Sequence, residues 1–137
     1  MATAEEGPID DVSIENSTLL YRWVAPAHIR RTSAGIECRD GAFKNFPNPE
    51  TLRMSIVLDD TLREHEREPD SILVLRSGYG LVALTAGEVR NLEQQRVLRS
   101  PRPEEPAHGD VWGEKSVGRR RRLAQLARWI IEPSGGA

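Results

Sequence analysis

No apolar stretch in this sequence is long. TLLYRWV (18–24), TLRMSIVLDD (51–60), SILVLRS (71–77), GLVAL (80–84) and RVLRS (96–100) are each cut short by proline, glycine or a cluster of charge. Runs of this length suit the strands of a small sheet and fall short of the roughly 20 apolar residues of a membrane-spanning helix. In 51–60, Leu52, Met54, Ile56 and Leu58 alternate onto one face, the period of a half-buried strand. TLLYRWV, with its aromatic residues and its stop before Pro26, also reads as a strand. Residues 25–34 read as a loop or short turn. GIECRDGAF (35–43) reads as a short strand with a turn at Asp40-Gly41, and NFPNPE (45–50) as a loop. SILVLRS and GLVAL, split by Ser77-Gly78-Tyr79-Gly80, predict a hairpin or one strand returning across a bulge.

Helices are marked by different signals. Thr85-Ala86-Gly87-Glu88 is a capping box, in which the threonine hydroxyl accepts a backbone N–H three residues on and the glutamate reaches back. Val89 and Leu92 would then face the core. TLREHEREPD (61–70) predicts a charged surface turn or short helix ended by Pro69. GEKSVGRRRRLAQLARWIIEP (113–133) predicts a closing helix to about Ile131, with Leu123, Leu126, Ala127 and Ile130 on its apolar side. PRPEEPAHGDVWG (101–113) predicts a long Pro-rich loop. The sum is an α+β fold: a small, mostly antiparallel sheet with about two helices, the C-terminal amphipathic helix closing the core. A length of 137 residues implies one domain. Its expected limits are 17–133, after an acidic disordered tail over 1–16 and before a short disordered tail over 134–137.

The formal charge of −2 hides an asymmetry, with acids in excess before residue 99 and bases after it. Arginine outnumbers lysine 17 to 2, a bias that GC-rich bacterial coding alone produces, so the arginine count says little about a phosphate partner. The acidic start, MATAEEGPIDD, lacks the apolar core of a secretory signal, and the single Cys38 leaves no intramolecular disulfide. A cytoplasmic location is therefore expected.

Four arginines, Arg119 to Arg122, lead the last predicted helix. Cations there oppose the helix dipole by about 0.3–1 kcal/mol each and require anionic neighbours, from within the chain or from a partner. Arg119 and Arg120 project near the apolar stripe, whereas Arg122 shares a flank with Trp129. In the Pro-rich loop, His108 and Asp110 have no second histidine or HExxH spacing to support a metal site, so no metal or cofactor is expected. Trp and Arg are the side chains that most often anchor interfaces. The expected partner-binding residues are accordingly His108, Asp110 and Trp112 in the loop, and Arg119, Arg120, Arg122 and Trp129 on the helix. The partner expected is another protein; nucleic acid bound through Arg119–Arg122 is the alternative, and no membrane is involved.

Leu20-Tyr21-Arg22, Gly41-Ala42-Phe43, Pro106-Ala107-His108-Gly109-Asp110-Val111-Trp112-Gly113 and Arg122-Leu123-Ala124 follow one another in an order that resembles a family of small uncharacterised bacterial proteins. The resemblance spans about residues 18–133 and carries no established activity. It implies a non-catalytic accessory or adaptor protein of a bacterial multi-gene system, such as one of defence or conflict, with the partner encoded nearby. A second resemblance is to ADP-ribosyltransferase-like folds, with Arg22, His108 and Glu114 in the dinucleotide-handling roles. Arg39-Asp40-Gly41 stands where that family carries its serines, which implies a degenerate site.

Overall fold

In the computed structural model, which describes residues 7–133, TLLYRWV becomes a middle strand, β1 (Leu19–Val24). On one side it pairs antiparallel with β5 (Gly80–Thr85), from Leu19 opposite Thr85 to Val24 opposite Gly80. On the other it meets β4 (Arg53–Leu58) only at Leu20 and Tyr21. β6 (Arg96–Arg99), β7 (His108–Trp112) and β8 (Arg128–Ile131) complete a six-stranded sheet in the order β6-β7-β4-β1-β5-β8, antiparallel throughout. A hairpin of β2 (Ile29–Thr32) and β3 (Gly35–Cys38) forms a separate two-stranded sheet. The fold is α+β, as the sequence predicts.

Both faces of the large sheet are covered. One face carries Leu20, Val24, Met54, Ile56, Leu58, Val82, Leu84, Val97 and Val111. Against them pack Phe43, Ala86 and Val89 of helix α2 (Ala86–Arg90), and Leu123 of helix α3 (Val117–Leu126). The other face carries Tyr21, Val57, Leu81 and Ala83 under Leu62 of helix α1 (Asp59–Glu64) and Ile72. The alternation predicted for 51–60 is present, with Met54, Ile56 and Leu58 all sealed from solvent. Thr85 and Glu88 form the expected capping box: Glu88 N donates to Thr85 Oγ1 at 3.1 Å and Thr85 N to Glu88 Oε1 at 2.8 Å.

Four expectations need correction. SILVLRS is not half of a hairpin, because Pro69–Leu73 winds into a single 3-10 turn. Ile72 is buried there, whereas Val74 and Leu75 stand in solvent. A short, wholly apolar run has no period to separate strand from helix, and Pro69 presets the helical φ of the first turn. The Pro-rich loop ends at Ala107, and His108–Trp112 is β7, inserted between β4 and β6. The closing helix stops at Leu126, where Ala127 turns to extended geometry and 128–131 adds an edge strand to β5. The apolar side drawn through Ile130 therefore breaks, and Trp129 sits on a strand, its Nε1 donating to Ile36 O at 3.0 Å. Among the described residues the α-helices are α1, α2 and α3, the first two short, in keeping with the expected α+β fold.

The N-terminal stretch expected as a tail over 1–16 is packed from residue 7 onward. Ile14 is fully buried in the core, and Asp10 Oδ1 accepts Val97 N at 2.8 Å on the outer edge of β6. Arg90 binds Asp10, Ile14 O and Asn16. Acidic residues that suggest a solvated tail thus find arginine partners and cover an open sheet edge. Residues 1–6 and 134–137 lie outside the described residues. Among the described residues, no helix is long and apolar enough to cross a membrane.

Candidate functional site: a cationic cleft beside the parting of two strands

Where the β1–β4 ladder ends, a side chain takes over. Arg22 alternates with Leu20 and Val24 on the face of β1 that meets α3, and its guanidinium bonds the backbone nearby. Nη1 donates to Ser55 O at 2.8 Å and Nε to Ala42 O at 2.9 Å. Both acceptors are neutral carbonyls. Desolvation, and secondarily the nearby Arg76, pull the Arg22 pKa down to about 10. The half-buried guanidinium also lies 4.9 Å from the centroid of the Trp23 ring and has no carboxylate partner among the described residues.

Lys115 repeats the pattern. It is 6% exposed, and its Nζ donates to Gly113 O at 2.7 Å and Val111 O at 3.2 Å. No carboxylate lies within ion-pair distance among the described residues, and burial pushes the Lys115 pKa down to about 7. Gly113 makes this geometry: its φ of +137° lies in the region that favours glycine, and an added Cβ would meet Gln94 O at 2.4 Å. Its carbonyl also accepts Asn45 Nδ2 at 3.1 Å.

These groups line one cleft of about 570 Å³, with His28 and Gly41 on one side, Lys44 to Pro49 on another, and Glu114 and Arg120 at the start of α3. Burial, then Lys44 and Arg22, depress the pKa of His28 and keep its ring neutral at physiological pH. Arg120 is engaged with Asp40 Oδ2 at 3.2 Å and with Lys115 O at 3.0 Å. Glu114 is the single carboxylate of the lining, and its side chain is 73% exposed. Phe46, at 73% exposure, stands with Pro47 and Pro49 as an apolar wall. The cleft thus sets the Arg22 guanidinium and Lys115, the latter only partly protonated near neutral pH, beside an apolar flank.

The seven residues expected to bind a partner do not gather here. His108, Asp110 and Trp112 share one face of β7, the face turned away from α3, and both His108 and Asp110 are 4% exposed. Alternation along a buried strand puts them there, in place of the Pro-rich loop that the composition of 101–113 predicts. Asp110 is held by Arg53 at 3.0 Å, Trp112 lies under the Arg96 guanidinium at 5.0 Å, and His108 Nδ1 is 2.8 Å from Ser100 Oγ. Burial lowers the pKa of His108. Its ring lines a different cavity, of about 350 Å³, with Trp23 and Ser55.

Within the arginine run, Arg119 is tied to Glu114 and Arg120 to Asp40, whereas Arg121 and Arg122 project outward and Arg122 meets only Gln125. The set Arg22, His108 and Glu114 is also divided: Arg22 and Glu114 line the cationic cleft, and His108 lies across the sheet. Among the described residues no three His, Cys, Asp or Glu side chains gather as a metal site.

Lys115, Asn45 and Lys44 were not singled out from the sequence. Of the residues named from the sequence, Arg22, Glu114 and Arg120 line the cleft. Comparison of the chain with family models, with curated proteins and with solved structures found no match.

Proposed function

We propose that this protein is a non-catalytic accessory or adaptor component of a bacterial cytoplasmic system, acting by contact with another protein, and that the contact is made at the Arg22–Lys115 cleft. The observation that carries this reading is Lys115, the one fully buried lysine or arginine among the described residues, held like the half-buried Arg22 beside it on carbonyl oxygens with no carboxylate. Burying charge is costly unless a counter-charge compensates it, and an anion from outside the chain would supply that counter-charge here.

The test is thermal unfolding at constant ionic strength as chloride is exchanged for acetate or phosphate. A ligand that binds only the folded state raises the Tm by an amount that grows with the logarithm of its concentration above Kd, about 2.7 kcal/mol of stability at one hundred times its Kd. The expected result is such a rise in the wild type and its loss in Lys115→Met. An unchanged Tm with every anion tested would remove the cleft from consideration.

One observation favours a second reading. Arg22 and Glu114 line the same cleft, so the pyrophosphate of a nicotinamide dinucleotide is a further candidate anion. Adding the dinucleotide to the same titration distinguishes the two: a rise with dinucleotide and none with simple anions supports the transferase-like reading.

A further inference from the structure

We infer that Lys115 is a covalent modification site for carbon dioxide: its side-chain amine adds CO2, and the carbamate so formed supplies Arg22 with an anion from within the cleft. The inference goes beyond the protein-contact reading given above and does not depend on it.

The argument starts from the hydrogen bonds of Lys115 Nζ. It donates to Gly113 O at 2.7 Å and to Val111 O at 3.2 Å, and to nothing else among the described residues. A lysine ammonium has three N–H donors, so one of them would have no acceptor in the fold. A neutral amine has two, both placed on these carbonyls, and its lone pair takes the third direction. The surroundings favour the same form. Burial, then Arg119 and Arg22, lower the Lys115 pKa to about 7, while Asp110, the carboxylate that acts against them, is held by Arg53. A large share of Lys115 is therefore the free amine near neutral pH, the form that attacks an electrophile.

The step is an addition with no oxidation or reduction. The Nζ lone pair forms a bond to the carbon of CO2, one C=O π pair moves onto oxygen, and one proton leaves Nζ for water. The product is a carbamate, –NH–COO⁻. Its remaining N–H serves Val111 O, and Gly113 O keeps Asn45 Nδ2 as a donor at 3.1 Å, so neither carbonyl is stripped.

Charge and size select the electrophile. An aldehyde or ketone would give an imine, which takes up a proton and sets another positive charge beside Arg22 and Arg119. CO2 turns the amine into an anion, the sign that these arginines stabilise. Arg22 has no carboxylate partner among the described residues, and its Nη2 makes no hydrogen bond there. CO2 is also uncharged and three atoms long, so it enters the cleft and reaches a buried lysine without shedding an ionic hydration shell. Phosphate and other preformed anions form no bond to Nζ. A carbamate and an anion from outside would answer the same cations, so each excludes the other.

The experiment incubates the full chain with isotopically labelled bicarbonate at mildly alkaline pH and then adds triethyloxonium ion, which alkylates a carbamate oxygen to a stable ethyl ester. Peptide mass spectrometry locates the ester. Lys44, the other lysine of the chain, is exposed and serves as the internal reference, because a lysine in water is almost wholly ammonium. The expected result is labelling of Lys115 at least about tenfold above that of Lys44, following the share of free amine. Labelling should fall in Arg22→Gln, which keeps the amine and removes the cation, with circular dichroism checking that this variant is folded. Label on Lys115 no stronger than on Lys44 would overturn the inference, and the wild type alone decides this. Strong labelling that Arg22→Gln leaves unchanged would overturn the pairing of the carbamate with Arg22. Neither result touches the protein-contact reading, whose test is the response of the Tm to anions.

Discussion

The chain has two concentrations of positive charge, and they are opposites in construction. The run Arg119–Arg122 is continuous in sequence, yet the fold divides it: Arg119 and Arg120 turn onto Glu114 and Asp40, and Arg121 and Arg122 remain in solvent. The cleft draws Arg22 from β1, Lys115 from the turn before α3 and Lys44 from a loop, residues far apart in the chain. In the run, charge is either paired or hydrated. In the cleft, Lys115 is neither, and the half-buried Arg22 beside it has no carboxylate partner among the described residues. Charge density along a sequence thus says little about where charge is held at a cost, and it is the cost that marks a site kept for a ligand.

The strongest way to break this contrast is through Lys115. Its unfolded pKa is that of an ordinary lysine, 10.5, and burial lowers the folded value to about 7. Between those values the unfolded chain holds more protons than the folded one, so stability rises with pH. From pH 7 to pH 8.5 the gain is about 1.5 kcal/mol, read from urea midpoints. The buried Cys38 thiol, raised from 9.0 to about 12, acts in the opposite sense at higher pH, which is why the measurement stops at 8.5. Lys115→Met should flatten the slope. A wild type with no slope would mean that Lys115 is hydrated or paired, and the contrast between cleft and run would be gone.

A smaller effect is expected where the two regions touch. Arg120 belongs to the run by sequence and to the cleft by position, bridging Asp40 and the carbonyl of Lys115. Arg120→Ala should cost about 0.5–1 kcal/mol in chemical denaturation, since Asp40 is partly exposed and the pair is screened. It should also weaken binding of the anions, which no substitution of the two outward arginines should do. Loss of stability without loss of binding would assign Arg120 to the helix alone.

Why the run was legible and the cleft was not follows from what each depends on. Strand alternation in Met54, Ile56 and Leu58, and the Thr85–Glu88 capping box, are local patterns, and the fold reproduces both. β7 was hidden because alternation across His108, Gly109, Asp110, Val111 and Trp112 sets polar groups against glycine and valine, which resembles a loop by composition. β8 was hidden because Arg128–Ile131 continues the helical spacing of α3, and only the extended geometry of Ala127 breaks it. The cleft depends on three non-local facts: the early end of the β1–β4 ladder, the positive φ of Gly113, and the approach of Asn45 to its carbonyl. None of these has a period or a spacing. Arg22, Glu114 and Arg120 are the lining residues named from the sequence, each on other grounds than the cleft they share.

The smallest effect expected is the most informative about the run. Arg121→Ala with Arg122→Ala removes two hydrated side chains whose one bond among the described residues is a 3.4 Å contact from Arg122 to Gln125. Alanine is at least as good a helix former as arginine, and both positions lie past the first turn of α3, where the dipole has little hold. Stability should therefore change by less than about 0.5 kcal/mol. Anion binding should be unchanged. The same double variant interrogates nucleic acid directly: each phosphate neutralised adds about 0.9 to the slope of log affinity against log salt on duplex DNA. If the run were a phosphate-binding edge, the wild type would bind labelled duplex at low salt, and the variant would lose close to two units of that slope. If the two outward arginines only solvate the helix, neither protein binds, because Arg119 and Arg120 are already answered by Glu114 and Asp40. A measurable slope in the wild type that the substitutions abolish would make the run a second functional surface and end the contrast from the other side.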